Sequence, residues 1–457
     1  MRLQRFFCEG LAQAGYVLAD GDEAIVVDPL RDAEPVLAFL AAQRLRARWV
    51  IATHVHADFV GGLHEVAAVT GATIALGEHF TGGFACERLG DGQVLRLGDG
   101  AVTVLATPGH TKESICLLAR GHEDTAGRLL TGDTLFVGDV GRPDLAQAAG
   151  DSAAAMAAML FLSLHQRLAP LPDDTEIWPA HGAGSACGSR IASAPSSTLG
   201  AERADNWALR GLDQTAFTAR LLQRLRPPPP HFATIAQTNC AGPALRASLA
   251  TPTFLSEAQV LQATAHGALV LDVRSWLDYG RGHWPQAINL GLDGGEFEPW
   301  AGTMLRDTEV LVLHAETAAR AHTARVRLLR VGLERVVGFV CTPPADPVRV
   351  PQIDAIDLFE PGGGSRWQVL DVRREDEFLV GHIEGAHHVE LGRELHVPTM
   401  HRDANTAVLC EGGYRSSAAM ALLKAAGFTA LHNVRDGMRG WRQNHLPEAR
   451  GSTTATS

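Results

Sequence analysis

One stretch of this chain occurs twice, and a duplicated unit restricts the fold more than any local propensity does. "ALVLDVRSWLDYGRGHWPQAINL" (268–290) aligns with "WQVLDVRREDEFLVGHIEGAHHV" (367–389). Asp272 and Arg274 match Asp371 and Arg373, and Gly282-His283 match Gly381-His382. Further on, "VLVLHAETAARAHTARVRLLRVGL" matches "TAVLCEGGYRSSAAMALLKAAGF" and sets His314 against Cys410. Each copy reads as a buried strand, a polar loop, a second strand and a helix, enough for a small α/β domain of roughly 100 residues. The expected domains are 250–345 and 350–448, with "EPGGGSRW" as a flexible junction and 449–457 as a disordered tail.

The preceding half has another texture. Short β-rich runs such as "AIVVDP", "WVIATH", "AVTVLATPGH" and "RLLTGDTLF" alternate with helical patterns, among them "AEPVLAFLAAQRLR" and "DSAAAMAAMLFLSLHQRLA". This predicts a layered α/β domain over 1–235, closed by "PPPP" at 227–230. A length of 457 residues suits such a division, since it exceeds what one core supports. The net charge of -11 argues against a nucleic-acid or anionic-membrane surface, which needs clustered cations. No apolar run is long enough for a secretory leader or a membrane span. Seven scattered cysteines do not form a disulfide framework and fit a reducing cytoplasm.

Four strand-end motifs in the first half carry ligand-type side chains. "THVHADFVGG" (53–62) holds His54, His56 and Asp58; "TPGHT" holds His110; "TGDTLF" holds Asp133; "WPAHGAG" holds His181. Strand ends are rigid places on which to build a site. Any one of these residues alone is more often a structural group than a ligand, but four of one kind in one domain depart from chance. His54, His110 and Asp133 make a candidate 2-His-1-carboxylate set, with His56, Asp58 and His181 beside it. Phe59 supplies no lone pair.

"THVHAD", "TPGHT", "TGDTLF" and "PAHG", in this order, resemble the metallo-β-lactamase-fold superfamily. Its dinuclear hydrolases, the glyoxalase II thioesterases among them, carry a further His where this chain has Phe59, so a single-metal site is the simpler expectation. "HADF" and "LTGDTLFVGDVGRPDL" (130–145) are similar to the persulfide dioxygenases, a mononuclear non-haem iron branch. That resemblance implies an αββα sandwich with one Fe(II) per chain held by His54, His110 and Asp133. Two imidazoles and one carboxylate leave positions open for substrate and O₂. His56, Asp58 and His181 would orient ligands or substrate. Arg142 of "GRPDL" is a candidate anion-binding side chain at the mouth, against an ordinary salt bridge. Cys187 stands at the tip of a Gly/Ser-rich loop, either as a structural thiol or as a persulfide relay.

"AVLCEGGYRSSAAMALL" follows the C-x-x-G-x-R-S pattern of the rhodanese sulfurtransferases. A strand delivers Cys410 into a short loop (Glu411, Gly412, Gly413, Tyr414) that Arg415 closes, and Ser416 opens a helix. Converging backbone N–H groups and a helix N-terminus favour negative charge on the sulfur. The first copy has no such loop and is expected to be inactive in sulfur transfer. Glu411 is expected to disfavour a small dianionic donor.

The order of a metallo-β-lactamase domain followed by two rhodanese-like domains resembles the multidomain persulfide dioxygenase–sulfurtransferases of sulfide detoxification. The resemblance implies a thiol persulfide of glutathione or coenzyme A type, O₂, and sulfite or thiosulfate as reactants, and a homo-oligomer. The alternative is a zinc glyoxalase II-type thioesterase fused to a sulfurtransferase.

Overall fold

The structure, a computed structural model, describes residues 1–122, 126–145, 150–294, 296–359 and 366–451. The chain divides into two compact units, Met1–Leu249 with Leu329–Gly332, and Ala250–Leu328 with Leu333–Ser457.

The first unit holds two six-stranded sheets. One runs β1 (Arg2–Cys8), β2 (Gln13–Asp20), β3 (Glu23–Val27), β4 (Arg46–Ile51), β5 (Thr73–Gly77), β6 (Glu87–Leu89) in sequential order. The other contains β7 (Val94–Leu97), β8 (Gly100–Ala106), β9 (Ile115–Arg120), β10 (Arg128–Gly132), β11 (Glu176–Pro179) and β12 (Ser197–Thr198), again in sequential order. Strand β2 shows why the layers form. Its alternate residues Ala14, Tyr16 and Leu18 join the apolar layer between the sheets, with Ile25, Val104 and Leu117. Val17 and Ala19, on the opposite face, pack under the helix Glu34–Ala42 through Val36 and Leu40. A strand buried on both faces reads as an unbroken apolar run, and period-two geometry sorts it into two cores. Ala157 and Leu160 of the helix Ala153–Leu162, with Phe217 and Leu221 of the helix Gln214–Gln223, cover the far side of the second sheet. The result is an αββα sandwich.

This unit runs past the Pro-rich segment to Leu249 rather than stopping at 235. The helix Phe232–Ala241 belongs to it: Phe232 is buried with Ala57, Phe136 and Cys187. Asn239 on the same helix donates to His56 O and Phe59 O, each at 2.8 Å.

The second unit holds two parallel five-stranded sheets with matching topology. The first contains β13 (Thr253–Phe254), β14 (Leu269–Asp272), β15 (Ile288–Asn289), β16 (Leu311–His314) and β17 (Val336–Val340), in the order β13-β17-β16-β14-β15. The second contains β18 (Gln352–Ile353), β19 (Gln368–Asp371), β20 (His387–His388), β21 (Thr406–Leu409) and β22 (Leu431–Val434), in the order β18-β22-β21-β19-β20.

The residues shared by the two repeats form one buried device. Arg373 donates to both oxygens of Asp371 (3.0 and 2.7 Å) and to Gly381 O (2.8 Å). Arg274 repeats this with Asp272 (3.0 and 2.7 Å) and Gly282 O (2.7 Å). The next residue, His382 or His283, hydrogen-bonds the helix behind it and stacks on Phe378 or Tyr279. The repeated motif is therefore scaffolding, which joins the end of the first strand to the turn that leads into the second.

Strand pairing corrects the alignment at one point. Asp272 lies opposite His314, whereas Asp371 lies opposite Leu409. His314 is thus the counterpart of Leu409, and Ala315 holds the place of Cys410. The first copy has three residues between β16 and the helix Ala318–Arg330, against four between β21 and the helix Tyr414–Ala425. Its shorter loop has no glycine, and buried His314 faces Asp272 with Nδ1 3.0 Å from Oδ2.

The expected tail is partly ordered, since Ala449 exchanges backbone hydrogen bonds with His382 (2.8 and 3.0 Å). Residues 452–457, and the junction residues 360–365, lie outside the described residues. Among the described residues, no helix is long and apolar enough to cross a membrane.

Candidate functional site

Three strand ends of the first unit bring His54, His110 and Asp133 together. His54 Nε2 lies 3.7 Å and His110 Nε2 3.5 Å from Asp133 Oδ2. All three atoms are buried and have no hydrogen-bond partner. Their far sides explain the arrangement. Thr53 Oγ1 donates to Asp28 Oδ2 (2.8 Å), so it accepts from Nδ1–H of His54 (3.0 Å). His110 Nδ1–H donates to Arg142 O (2.8 Å). Both rings thereby keep a lone pair on Nε2. Burial, with the neighbouring His56, holds His54 well below the usual histidine range, and burial lowers His110 as well. For Asp133, burial alone would raise the carboxyl, but His181, His54 and His110 together outweigh it and hold the group far below the usual carboxylate range. Two lone pairs and a carboxylate oxygen converging in a dry site, without a proton among them, fit a cation.

Close approach of the loop depends on Gly141. A methyl group there would sit 2.0 Å from Asp133 O and 3.0 Å from His110 Nδ1. Asp28 adopts a left-handed backbone (φ 48°), a strained conformation for a residue with a side chain. From it, the carboxylate reaches Thr53 N (2.8 Å), Thr53 Oγ1 and His56 Nε2 (3.0 Å). His56 is therefore turned to Asp28, and its ring lies 4.3 Å from that of Phe59. Phe59 is fully buried.

His181 bridges two carboxylates. Nδ1 is 2.7 Å from Asp133 Oδ1, and Nε2 is 2.8 Å from Asp58 Oδ2. Burial would lower its pKa, but Asp133 and Asp58 together push it well above the usual histidine range. Asp58, His181 and Cys187 also bring ligand-type atoms within 4.8 Å of one another. Both His181 nitrogens are already engaged by carboxylates, however, and Phe59 adds no donor.

One expectation changes here, and one open alternative narrows. Arg142 is buried rather than set at a mouth. It holds Asp144 through two hydrogen bonds (2.7 and 2.8 Å) and donates to Ala186 O (3.2 Å) and Arg226 O (2.5 Å). All three nitrogens of its guanidinium are engaged within the fold, and its contribution to the centre is the carbonyl that orients His110. Cys187 is buried beside Phe136 and Phe232, which fits the structural one of its two readings. Burial, Asp58 and Asp133 push its thiol well up, which disfavours a thiolate.

In the second unit, β21 delivers Cys410 to the floor of its loop, where the residue is 1% exposed. Its sulfur accepts from Gly413 N–H (3.1 Å) and Ser416 Oγ–H (3.4 Å). Gly413 has φ 91°, and a methyl group there would meet Arg435 O at 2.5 Å. Only glycine fits that turn without strain. Arg415 is bound to Glu377 (2.5 and 2.7 Å). Glu411 is not a bare charge, since Arg442 lies 3.1 Å away and Arg373 3.9 Å. The expected repulsion of a dianionic donor is offset accordingly. A methyl group on Gly412 would meet the Arg439 guanidinium at 3.3 Å, and the Tyr414 ring is buried.

Glu377 gives this loop an acid limit. Burial would raise its carboxyl, but the Arg415 hydrogen bond and charge outweigh that and hold it at about 2, against an ordinary 4.5. A carboxyl lowered in the fold contributes stability that is complete above its unfolded value and lost as pH falls toward the folded one. Stability should therefore fall between about pH 4.5 and 2, more steeply in wild type than in Glu377→Gln. Urea midpoints across that range check this, and parallel slopes would contradict it.

Asp28, Thr53, Asn239, Glu377, Arg439 and Arg442 were not singled out by sequence motifs. Only Asp28, ending the run "AIVVDP", stood where a strand-end rule could have marked it.

Fold and centre together define a metallo-β-lactamase-superfamily protein joined to a rhodanese-like domain, and the chain belongs to that superfamily. The metallo-beta-lactamase superfamily model matches residues 9–84, and the rhodanese-like domain model matches 357–444. The chain is 32% identical over 235 residues to an uncharacterised protein of Mycobacterium leprae, covering 45% of this chain and 98% of the other. It is 30% identical over 169 residues to the mitochondrial persulfide dioxygenase of Homo sapiens (36% of this chain, 62% of that one). It is 42% identical over 126 residues to a hydroxyacylglutathione hydrolase of Anaeromyxobacter dehalogenans (26% and 45%). The chain thus spans less than two thirds of those two enzymes. A solved metallo-beta-lactamase from Staphylococcus aureus subsp. aureus COL superposes with TM-score 0.65 at 29% identity, covering 74% of this chain and 98% of that one.

Proposed function

We propose that the first unit is a non-haem iron persulfide dioxygenase and that Cys410 is the sulfur carrier of an attached sulfurtransferase, serving sulfide detoxification. The observation that carries this reading is the three orphaned atoms of His54, His110 and Asp133, beside a second position closed by His181 and Phe59. One Fe(II) held by that triad would supply open coordination positions for a persulfide sulfur and O₂. The chain's own residues keep the triad unprotonated: Thr53 and the Arg142 carbonyl fix the tautomers, and His181 holds Asp133 ionised. Phe59 and Phe136 keep the surroundings apolar. The expected overall reaction is RSSH + O₂ + H₂O → RSH + SO₃²⁻ + 2 H⁺, with O₂ as the oxidant, water supplying the third sulfite oxygen, and the free thiol as the organic product.

At Cys410, the thiolate attacks the terminal sulfur of a glutathione- or coenzyme A-type persulfide, RSSH. The S–S bond breaks, RSH leaves, and Cys410 holds a persulfide. Sulfite then attacks the outer sulfur, which forms thiosulfate and returns the thiolate. Gly413 N–H and Ser416 Oγ–H hold the charge on the Cys410 thiolate. The reverse direction uses the same steps. Joining both activities on one chain raises the local concentration of their shared intermediate. Among the described residues, no cysteine is held in a disulfide.

Protein purified without oxygen should contain one iron per chain and consume O₂ with a low-molecular-weight persulfide, releasing sulfite. A panel of persulfides would identify the thiol. The likeness to hydroxyacylglutathione hydrolases favours a second reading, a two-zinc thioesterase. Two zinc ions per chain with thioester hydrolysis and no O₂ uptake would establish that reading instead.

A further inference from the structure

The first repeat has lost the sulfur-carrying position, yet it touches the loop that kept it. In that repeat, Asn289 donates from Nδ2 to Asp272 O and Arg274 O, each at 3.0 Å. With both amide hydrogens engaged, Oδ1 is left as an acceptor, and Ser417 Oγ of the catalytic repeat donates to it at 2.7 Å. Both side chains are buried, Asn289 at 2% and Ser417 at 1% exposure. The corresponding residue of the catalytic repeat is His388, which makes only the inward bond, from Nε2 to Arg373 O (2.8 Å). Asn289 therefore keeps the internal role of its position and adds an outward acceptor.

The bond reaches the turn that matters. Ser417 and Ser416 are adjacent in the first turn of the helix Tyr414–Ala425. Ser416 donates to the Cys410 sulfur, and Ser417 is held by the other repeat. The first repeat also comes close to the loop at Gly413. A methyl group on Gly413 would meet the Trp276 indole nitrogen of the first repeat at 2.9 Å. Gly413 is the residue whose N–H reaches the sulfur. The Trp276 nitrogen is itself buried without a partner. Of the two groups that contact the sulfur, Gly413 thus lies beside the degenerate copy, and Ser416 directly precedes the residue that copy holds.

We propose that the first repeat is retained as a positioning element of the Cys410 cradle, with Asn289 and Trp276 as positioning residues acting through Ser417 and Gly413. The inference rests on the reading of Cys410 as a sulfur carrier. It implies that the catalytic repeat depends on its neighbour for the direction of the N–H and O–H groups that stabilise the thiolate, beyond any general stabilisation.

The test uses the full chain with three variants: Ser417→Ala, Asn289→Ala and Trp276→Leu. Two readouts are followed: sulfur transfer from thiosulfate, and the pH profile of Cys410 alkylation by iodoacetamide, with Cys410→Ser as background. Loss of one neutral hydrogen bond at this position should lower kcat about five- to tenfold. KM should stay unchanged and the alkylation midpoint should move to higher pH. Ser417→Ala and Asn289→Ala should give the same loss, and the double variant no more than either. Trp276→Leu, at a partly exposed site, should move the alkylation profile in the same direction even if the buried variants fold poorly. Unchanged alkylation profiles, or losses that simply add, would overturn the proposal. A wild-type chain that transfers no sulfur refutes the carrier reading instead, and the alkylation profiles still report on the contact.

Discussion

Replacing His110 with Ala should abolish both iron binding and persulfide-dependent O₂ uptake while leaving sulfur transfer by Cys410 intact. The substitution removes one of three converging donors and leaves Arg142 O without its hydrogen-bond donor. Two donors from a buried pocket do not hold Fe(II) against water, so the loss should be complete rather than graded. Cys410→Ser should show the reciprocal result, with O₂ uptake intact and thiosulfate formation lost. Metal content, O₂ uptake and thiosulfate production measured on both variants decide the matter. A His110→Ala protein that still consumes O₂ at the wild-type rate would falsify the assignment of the centre.

Asp371→Ala should destabilise the second unit severely, by about 3–5 kcal/mol, because it strands a buried cation. Arg373 is 1% exposed, and Asp371 supplies both oxygens that its guanidinium faces. Gly381 O and the more distant Glu411 carboxylate, 3.9 Å away and shared with Arg442, do not replace that close pair. Asp371→Asn should cost less, since an amide keeps one acceptor. Denaturant unfolding separates the cases, and a loss under about 1 kcal/mol would show that Arg373 finds water on relaxation. Asp272→Ala should behave in the same way through Arg274, with His314 also losing its facing carboxylate.

Much of this was legible before any coordinates. The layered first half, the duplicated second half, the strand-end ligands and the Cys410 loop all rest on period, turn chemistry and motif, which are local properties. What escaped the sequence depends on contacts distant in the chain. Arg142 has the composition of an anion binder, but its partners at 144, 186 and 226 are set by the fold. The charge on Glu411 looked bare because Arg442 is 31 residues away. The match of His314 to Cys410 was off by one because apolar strands tolerate a slip that only hydrogen-bond register resolves. Asn289 looked unremarkable since its significance lies 128 residues further on.

His181 carries a consequence for how such a centre changes over generations. Each of its ring nitrogens is committed to a carboxylate, and the neighbouring wall is an apolar ring. Exchanging Phe59 for His would furnish one nitrogen but leave the imidazole between Asp58 and Asp133 in place. That one exchange would therefore not free His181 to act as a ligand. Freeing it also means unmaking the bridge that helps to hold Asp133 ionised, so a second ion position could be opened only at the expense of the first.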